Sequence, residues 1–140
     1  VRAQVGDRAA LRALHYFDET RRVRAQQAAL EAGDFATFLE GVRQSGASSA
    51  QVLQNVSPHA DGTGAEQPAM VVLALCTHLL DADGAGAYRI HGGGFGGSVL
   101  AIVADDAAPA FMASMNRLLG YDVCMTLGID ARGALVERLA

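Results

Sequence analysis

Five of the six positions from Gly92 to Gly97 are glycine, and this run separates the strand signal Tyr88-Arg89-Ile90-His91 from a fully apolar one, Val99 to Val103. Glycine at that density weakens any regular element, because it loses the most backbone entropy on ordering and offers no side chain to pack. The run is therefore a shaped loop. Strands joined by six residues are most simply antiparallel, so the centre of the fold is read as strand, loop and strand. Alternation puts Tyr88 and Ile90 on one side of the first strand and Arg89 and His91 on the other. Phe95 has no obvious place in a solvated turn and is expected to pack inward or against a partner domain.

Upstream the periodicity is helical. From Asp7 to Ala32 there are two apolar stripes, Leu11, Leu14 and Phe17 on one and Tyr16, Val23 and Leu30 on the other, with Gly33 as the stop. Asp34 is a good N-cap for a second helix, whose Phe35, Phe38, Leu39 and Val42 fall at i, i+3, i+4 and i+7, and Gly46 is its expected end. Ser48 and Gln51 have capping-box spacing and open a short helix through Val52, Leu53 and Val56. Ser57 to Gln67 is polar, broken by Gly and Pro, and reads as a mobile loop. Pro68 suits the first turn of a helix to Leu80, apolar round most of its circumference and so expected to be buried.

Downstream of the second strand, Asp105 or Asp106 caps a helix carrying Phe111, Met112, Met115, Leu118 and Leu119, which Gly120 closes. Val123, Met125, Leu127 and Ile129 then alternate as in a last strand with these side chains inward, while Ala131 to Ala140 fits no single pattern. The order predicts an α+β fold: a helical segment, then an antiparallel sheet with helices packed on one face in a ferredoxin-like split β-α-β arrangement. Residues 1–140 are expected to form one domain without internal repeats.

All eleven basic residues are arginines. A chain without lysine can build neither a Walker A phosphate loop nor a Schiff base to pyridoxal phosphate. The net charge of −4 supplies no basic surface for nucleic acid or anionic membrane, so neither is expected as a partner. The longest apolar stretch, Pro68 to Leu80, is too short to span a bilayer, and no signal peptide is visible. A cytoplasmic location is expected, with Cys76 and Cys124 read as reduced, buried side chains lacking any zinc-type spacing. The chain opens at Val1 and reads as part of something longer.

The glycine loop admits several chemistries. Gly92, Gly94 and Gly97 satisfy G-x-G-x-x-G, but a dinucleotide fingerprint needs a helix directly after the glycines and an acidic residue about twenty positions further on. A strand comes next in this chain, and position 117 is Arg. A wide hairpin with a bulge is a purely structural alternative. Against it, a simple hairpin needs one or two glycines, whereas five can expose backbone N–H groups as an anion nest or let a ligand come close. His15 and His78 read as satisfied interior histidines; His59 and Asp61 are too few for a metal site. Arg21, Arg22 and Arg24 read as a solvated helix face partnered by Asp18 and Glu19.

Residues Tyr88 to Val103 resemble the third signature motif of the galactokinase family, within the GHMP small-molecule kinases: glycine loop, central Phe95 and adjoining apolar strand coincide. Arg21-Arg22-Val23, Leu30-Glu-Ala-Gly-Asp-Phe35, Ser45-Gly-Ala-Ser-Ser49 and Leu53-Gln-Asn-Val-Ser57 resemble the helical half of the same domain in order and spacing, over roughly positions 8 to 130. The resemblance implies a GHMP-type C-terminal domain facing an N-terminal domain of the same chain. The whole enzyme would transfer the γ-phosphoryl of Mg-ATP to the anomeric hydroxyl of a hexose, galactose first among them.

By the same resemblance, Gly92, Gly93, Gly94, Phe95, Gly96 and Gly97, with Arg89, His91 and Ser98 beside them, shape the cleft around sugar and nucleotide phosphates. The catalytic Asp, its helper Arg and the Gly/Ser nucleotide loop belong to the N-terminal domain. No catalytic or metal-binding residue is therefore assigned to this chain, and these residues alone are expected to bind neither ATP nor Mg2+ and to be inactive. Gly46-Ala-Ser-Ser-Ala50 lacks the upstream proline and full serine run of that nucleotide loop and reads as a helix start. His91 and Ser98 stand where the commonest motif has Thr and Cys, which leaves the sugar open; His91 either touches phosphate or sugar or is an exposed strand histidine. Other readings are a mevalonate- or homoserine-type kinase domain, or a non-catalytic module sensing a phosphometabolite.

Overall fold

Gly33 and Asp34 divide the helical half of the chain as their chemistry dictates. In the computed structural model, which describes residues 2–57, 66–80, 86–94 and 97–133, a one-turn helix α1 (Arg2–Val5) leads into α2 (Asp7–Glu31). Gly33, at φ +71°, turns the chain out of α2. The Asp34 carboxylate then accepts from the Thr37 backbone N–H at 3.0 Å and caps α3 (Phe35–Ser48). Hydrogen bonds from Thr37 hold the Asp34 carboxyl below the usual carboxylate range.

Gly46 does not stop α3. The helix continues through Ser48 into one π-helical turn, Ser49–Leu53, and ends where Gln54 takes a left-handed conformation at φ 58° and ψ 42°. Gly46 serves a different purpose, since a Cβ there would stand 2.8 Å from the Tyr88 carbonyl oxygen. Only glycine lets helix and strand come this close. Ser48 opens no new helix; its Oγ lies 2.9 Å from His15 Nδ1 and ties α3 to α2.

The two apolar stripes of α2 do not form its packed face. Leu14, Tyr16, Phe17, Val23 and Leu30 are all more than half exposed, and the residues turned inward are His15, Glu19, Arg22 and Ala29. Glu19 accepts from Ser45 Oγ at 2.6 Å and from Arg22 Nη1 at 2.9 Å, with His15 Nε2 at 3.8 Å. Arg22 is thus drawn into the seam rather than solvated, while Arg21 pairs with Asp18 at the surface. Polar side chains paired in this way can fill a helix–helix seam in place of apolar ones, here with Arg22 Nε left buried without a hydrogen-bond partner. On α3, Val42 is buried, but Phe35 is half exposed and stacks on Phe38 with ring centroids 5.5 Å apart.

Helix α4 (Pro68–Leu80) begins at its proline and buries one face, Ala69, Leu73, Cys76 and Leu80. His78 lies on the exposed face, so of the two helical histidines expected inside only His15 is buried. Strands β1 (Gly86–Ile90) and β2 (Val99–Val103) pair antiparallel, Gly86 opposite Val103 and Ile90 opposite Val99. Helix α5 (Ala108–Leu119) is closed by Gly120 in a left-handed conformation, but it starts at Ala107 with Pro109 in its first turn and takes no cap from Asp105 or Asp106. Tyr88 and Val99 join both core clusters, one built on Val56, Ala69, Leu73 and Ile90, the other on Cys76, Leu80 and Met115.

The molecule is α+β, with a two-stranded antiparallel sheet among the described residues. Helices are not confined to one face of it. Tyr88 and Ile90 pack towards α4, whereas Arg89, on the opposite side of β1, reaches Glu19 of α2. Helix α3 runs along the outer edge of β1. His91 and Ser98 form a hydrogen-bonded pair, so the carbonyls of Gly86, Tyr88 and Ile90 point away from β2. Gly86 O accepts from Arg43 Nε at 2.9 Å, Gly46 lies over Tyr88 O, and Ile90 O accepts from Arg89 Nε at 3.1 Å.

The expected last strand does not form, so the split β-α-β arrangement lacks its closing strand among the described residues. The N–H groups of Val123 and Cys124 donate to Asn116 Oδ1 at 3.0 and 3.3 Å instead of to a ladder. Met125, Leu127 and Ile129 are 79%, 70% and 100% exposed, the reverse of the inward placement their alternation predicts. Alternation selects a strand only where a neighbouring edge supplies hydrogen bonds and a surface to cover. Most of the expected mobile loop, residues 58–65 with His59 and Asp61, lies outside the described residues, as do 81–85 and 134–140. No helix among the described residues is long and apolar enough to cross a membrane.

Candidate functional site

The last β1–β2 pair, Ile90 with Val99, is succeeded by a hydrogen bond from the His91 N–H to the Ser98 carbonyl at 2.9 Å, which closes the neck of the glycine loop. Beyond it, Gly92, Gly94 and Gly97 have φ of +65°, +78° and +84°, and Gly93 is not left-handed. Gly92 and Gly93 are exposed with nothing within 4 Å of a Cβ built on either, so backbone alone forms this surface. His91 and Ser98 flank it, and both are exposed. Phe95 and Gly96 lie outside the described residues.

Gly94 is held from beneath. A Cβ there would stand 2.2 Å from the Asn55 carbonyl oxygen and 2.7 Å from Asn55 Nδ2, in a conformation that side chains rarely adopt. Asn55 itself is 3% exposed, and its Nδ2 donates to the Gly93 carbonyl at 3.0 Å. Its Oδ1 is buried without a hydrogen-bond partner. Asn55 thus joins the end of the α3 and π-turn segment to the loop.

Arg89 is placed differently from the other residues around the loop. Its Nε donates to the Ile90 carbonyl, and its Nη1 lies 3.7 Å from Glu19 Oε1. The guanidinium is thereby committed to the seam behind β1, together with Arg22, Ser45 and His15. Open hollows of about 440 Å3 beside α2, bordered by Arg12, His15, Tyr16, Val23 and Leu53, and of about 510 Å3 between α2 and α3 do not include the glycine loop. Among the described residues no three His, Cys, Asp or Glu side chains cluster as metal ligands. Partial burial pushes the Cys124 thiol up, and neither it nor Cys76 is in a disulfide.

No family model matches the chain, and neither a curated protein nor a solved structure matches it. The site therefore stands on its geometry and on its sequence. Two of its residues carry no readable signal of their own. Asn55 comes after a helical stretch as an ordinary polar residue would, and Glu19 sits among charges that read as a solvated face. What marks Asn55 is spatial: the loop it meets lies 38 residues away.

Proposed function

We propose that this chain is the C-terminal domain of a galactokinase-like sugar kinase, in which the glycine loop 92–97 forms one wall of the cleft for sugar and nucleotide phosphates. The observation that carries the reading is a strand–loop–strand element whose glycines are fixed from below by Asn55 while Gly92 and Gly93 present bare backbone outward. The sign of φ alternates from Gly92 through Gly93 to Gly94, and such alternation can turn successive N–H groups towards one side. Such groups stabilise charge without titrating, and phosphoryl transfer depends mainly on positioning and on electrostatic stabilisation of the migrating group.

The whole enzyme would act on a hexose, galactose first, at the anomeric hydroxyl with Mg-ATP, in the cytoplasm. Bound magnesium would neutralise phosphate charge during transfer. The catalytic carboxylate and the nucleotide loop would come from the N-terminal domain. This chain's part would be to orient phosphate or sugar with the Gly92–Gly94 backbone and, beside it, with His91 and Ser98. Arg89 would support β1 from the seam.

The test is a hexose panel assayed with Mg-ATP on the full-length protein and on residues 1–140 alone. The reading expects phosphorylation by the full-length protein only, abolished or strongly reduced by Gly94→Val. Robust turnover by residues 1–140, or a Gly94→Val enzyme of unchanged activity, would overturn it.

A further inference from the structure

Asn55 is the one buried polar side chain that touches the glycine loop, among the described residues, and the backbone leading to it is irregular for two successive reasons. Helix α3 passes into a π-helical turn at Ser49–Leu53, and Gln54 then adopts a left-handed conformation although it is not glycine. A π turn inserts one residue into the helical repeat and so rotates the downstream residues by about 100°. A left-handed non-glycine residue costs free energy that its surroundings must hold in place. Both irregularities lead directly to Asn55.

At that position Nδ2 donates to Gly93 O at 3.0 Å, the main-chain carbonyl lies under Gly94, and Oδ1 is left buried without a partner. The amide orientation is set by chemistry, since only the NH2 end can donate to a carbonyl. A buried acceptor without a partner destabilises the fold, and an apolar side chain of similar shape would remove that penalty. Stability alone therefore does not account for asparagine here; the grip on Gly93 does.

We propose that Asn55 is the positioning residue of the glycine loop, holding the Gly92–Gly94 backbone in the shape that meets phosphate during transfer. The proposal rests on the kinase reading for its catalytic consequence, though not for the positioning itself. Asn55 acts through the loop and touches no reacting atom. Loss of the Nδ2 bond frees the Gly93 carbonyl and lets the peptide groups on either side of it rotate.

Two variants of the full-length protein test this. Asn55→Leu keeps the approximate shape and removes both polar atoms; Asn55→Asp keeps the shape and removes the donor. Both are expected to lower kcat roughly 10- to 100-fold with a much smaller change in KM, as for a misplaced catalytic element. Asn55→Leu is expected to melt at the wild-type temperature or above it. Backbone order parameters at Gly92–Gly94 should fall in both variants, from about 0.85, typical of rigid backbone, to below about 0.6, with α2 and α3 unchanged.

Unchanged order parameters in the loop overturn the positioning role whatever the enzyme does. A fall in melting temperature with wild-type kcat likewise overturns it, by making Asn55 a structural residue only. If the wild-type protein phosphorylates no sugar, the kinase reading fails, and the order parameters still decide the role of Asn55.

Discussion

Arg89 Nη1 lies 3.7 Å from Glu19 Oε1, so the strand that enters the glycine loop is tethered to the long helix α2 near the start of the chain. Glu19 also takes the Ser45 hydroxyl and the Arg22 guanidinium, with His15 Nε2 at 3.8 Å. One carboxylate therefore meets groups from α2, α3 and β1. Glu19→Ala leaves Arg22 and part of Arg89 inside without a counter-charge and should lower the unfolding free energy by about 3 kcal/mol. Glu19→Gln, which can still accept from Ser45, should cost less. Urea unfolding of both variants checks the order; equal stability of wild type and Glu19→Ala would show the cluster contributes nothing.

Gly46→Ala sets two effects against each other. Helix propensity favours alanine by about 1 kcal/mol. The added Cβ, however, would stand 2.8 Å from the Tyr88 carbonyl oxygen, and prying helix from strand costs about 1–3 kcal/mol. The second should win, and the variant should melt below wild type; a higher melting temperature would contradict the close approach of α3 to β1.

Asp34 gives the fold a defined acid dependence. Its carboxyl is held down by Thr37, so its folded value lies below the unfolded one, near 3.9. The cap's contribution is then complete above the unfolded value and lost as pH falls through the folded one. Asp34→Ala should melt lower than wild type at neutral pH, and the gap should close below about pH 4. Thermal melts across that range measure it, and a gap independent of pH would exclude the charged cap.

Asn116 binds the segment after α5 through the N–H groups of Val123 and Cys124, and its Nδ2 donates to Asp122 at 3.0 Å. Asn116→Ala should abolish the protection of those two amides in hydrogen exchange while α4 and β1 keep theirs. Protection that survives would mean the segment is held by something other than this side chain.

The two thiols should react differently. Cys76 is 1% exposed in the core, and Cys124 is partly exposed with its thiol pushed up by burial. Alkylation near pH 8 should label Cys124 more slowly than a free cysteine and should leave Cys76 unlabelled until the protein unfolds. Rapid labelling of Cys76 in the folded state would contradict its placement.

Several helix limits and the hairpin are legible in the sequence because they depend on local chemistry: Gly33 with Asp34, Pro68, Gly120, and two apolar runs around the glycines; the end of α3 and the start of α5 are not. Of the inward face of α2 only His15 is legible, as an interior histidine; Glu19 and Arg22 are not. Hydrophobic periodicity assumes that apolar side chains are the covered ones, and Glu19 and Arg22 are partly buried because Ser45 and Arg89 arrive from elsewhere to pair with Glu19. The stretch from Val123 to Ile129 misleads for a related reason, as alternation says nothing about whether an edge is waiting. Gly46 reads as punctuation because its reason lies in a carbonyl across space. The site divides similarly: Gly92–Gly97 stands out as composition, whereas Asn55 requires the fold.

The Arg43 contact and the fit of Gly46 have a consequence for how this sheet can grow. With the carbonyls of Gly86 and Tyr88 occupied or covered by α3, any further strand, from this chain or another, must add beside Val99, Ala101 and Val103. The hairpin is a ribbon with one finished border and one that can still be sewn.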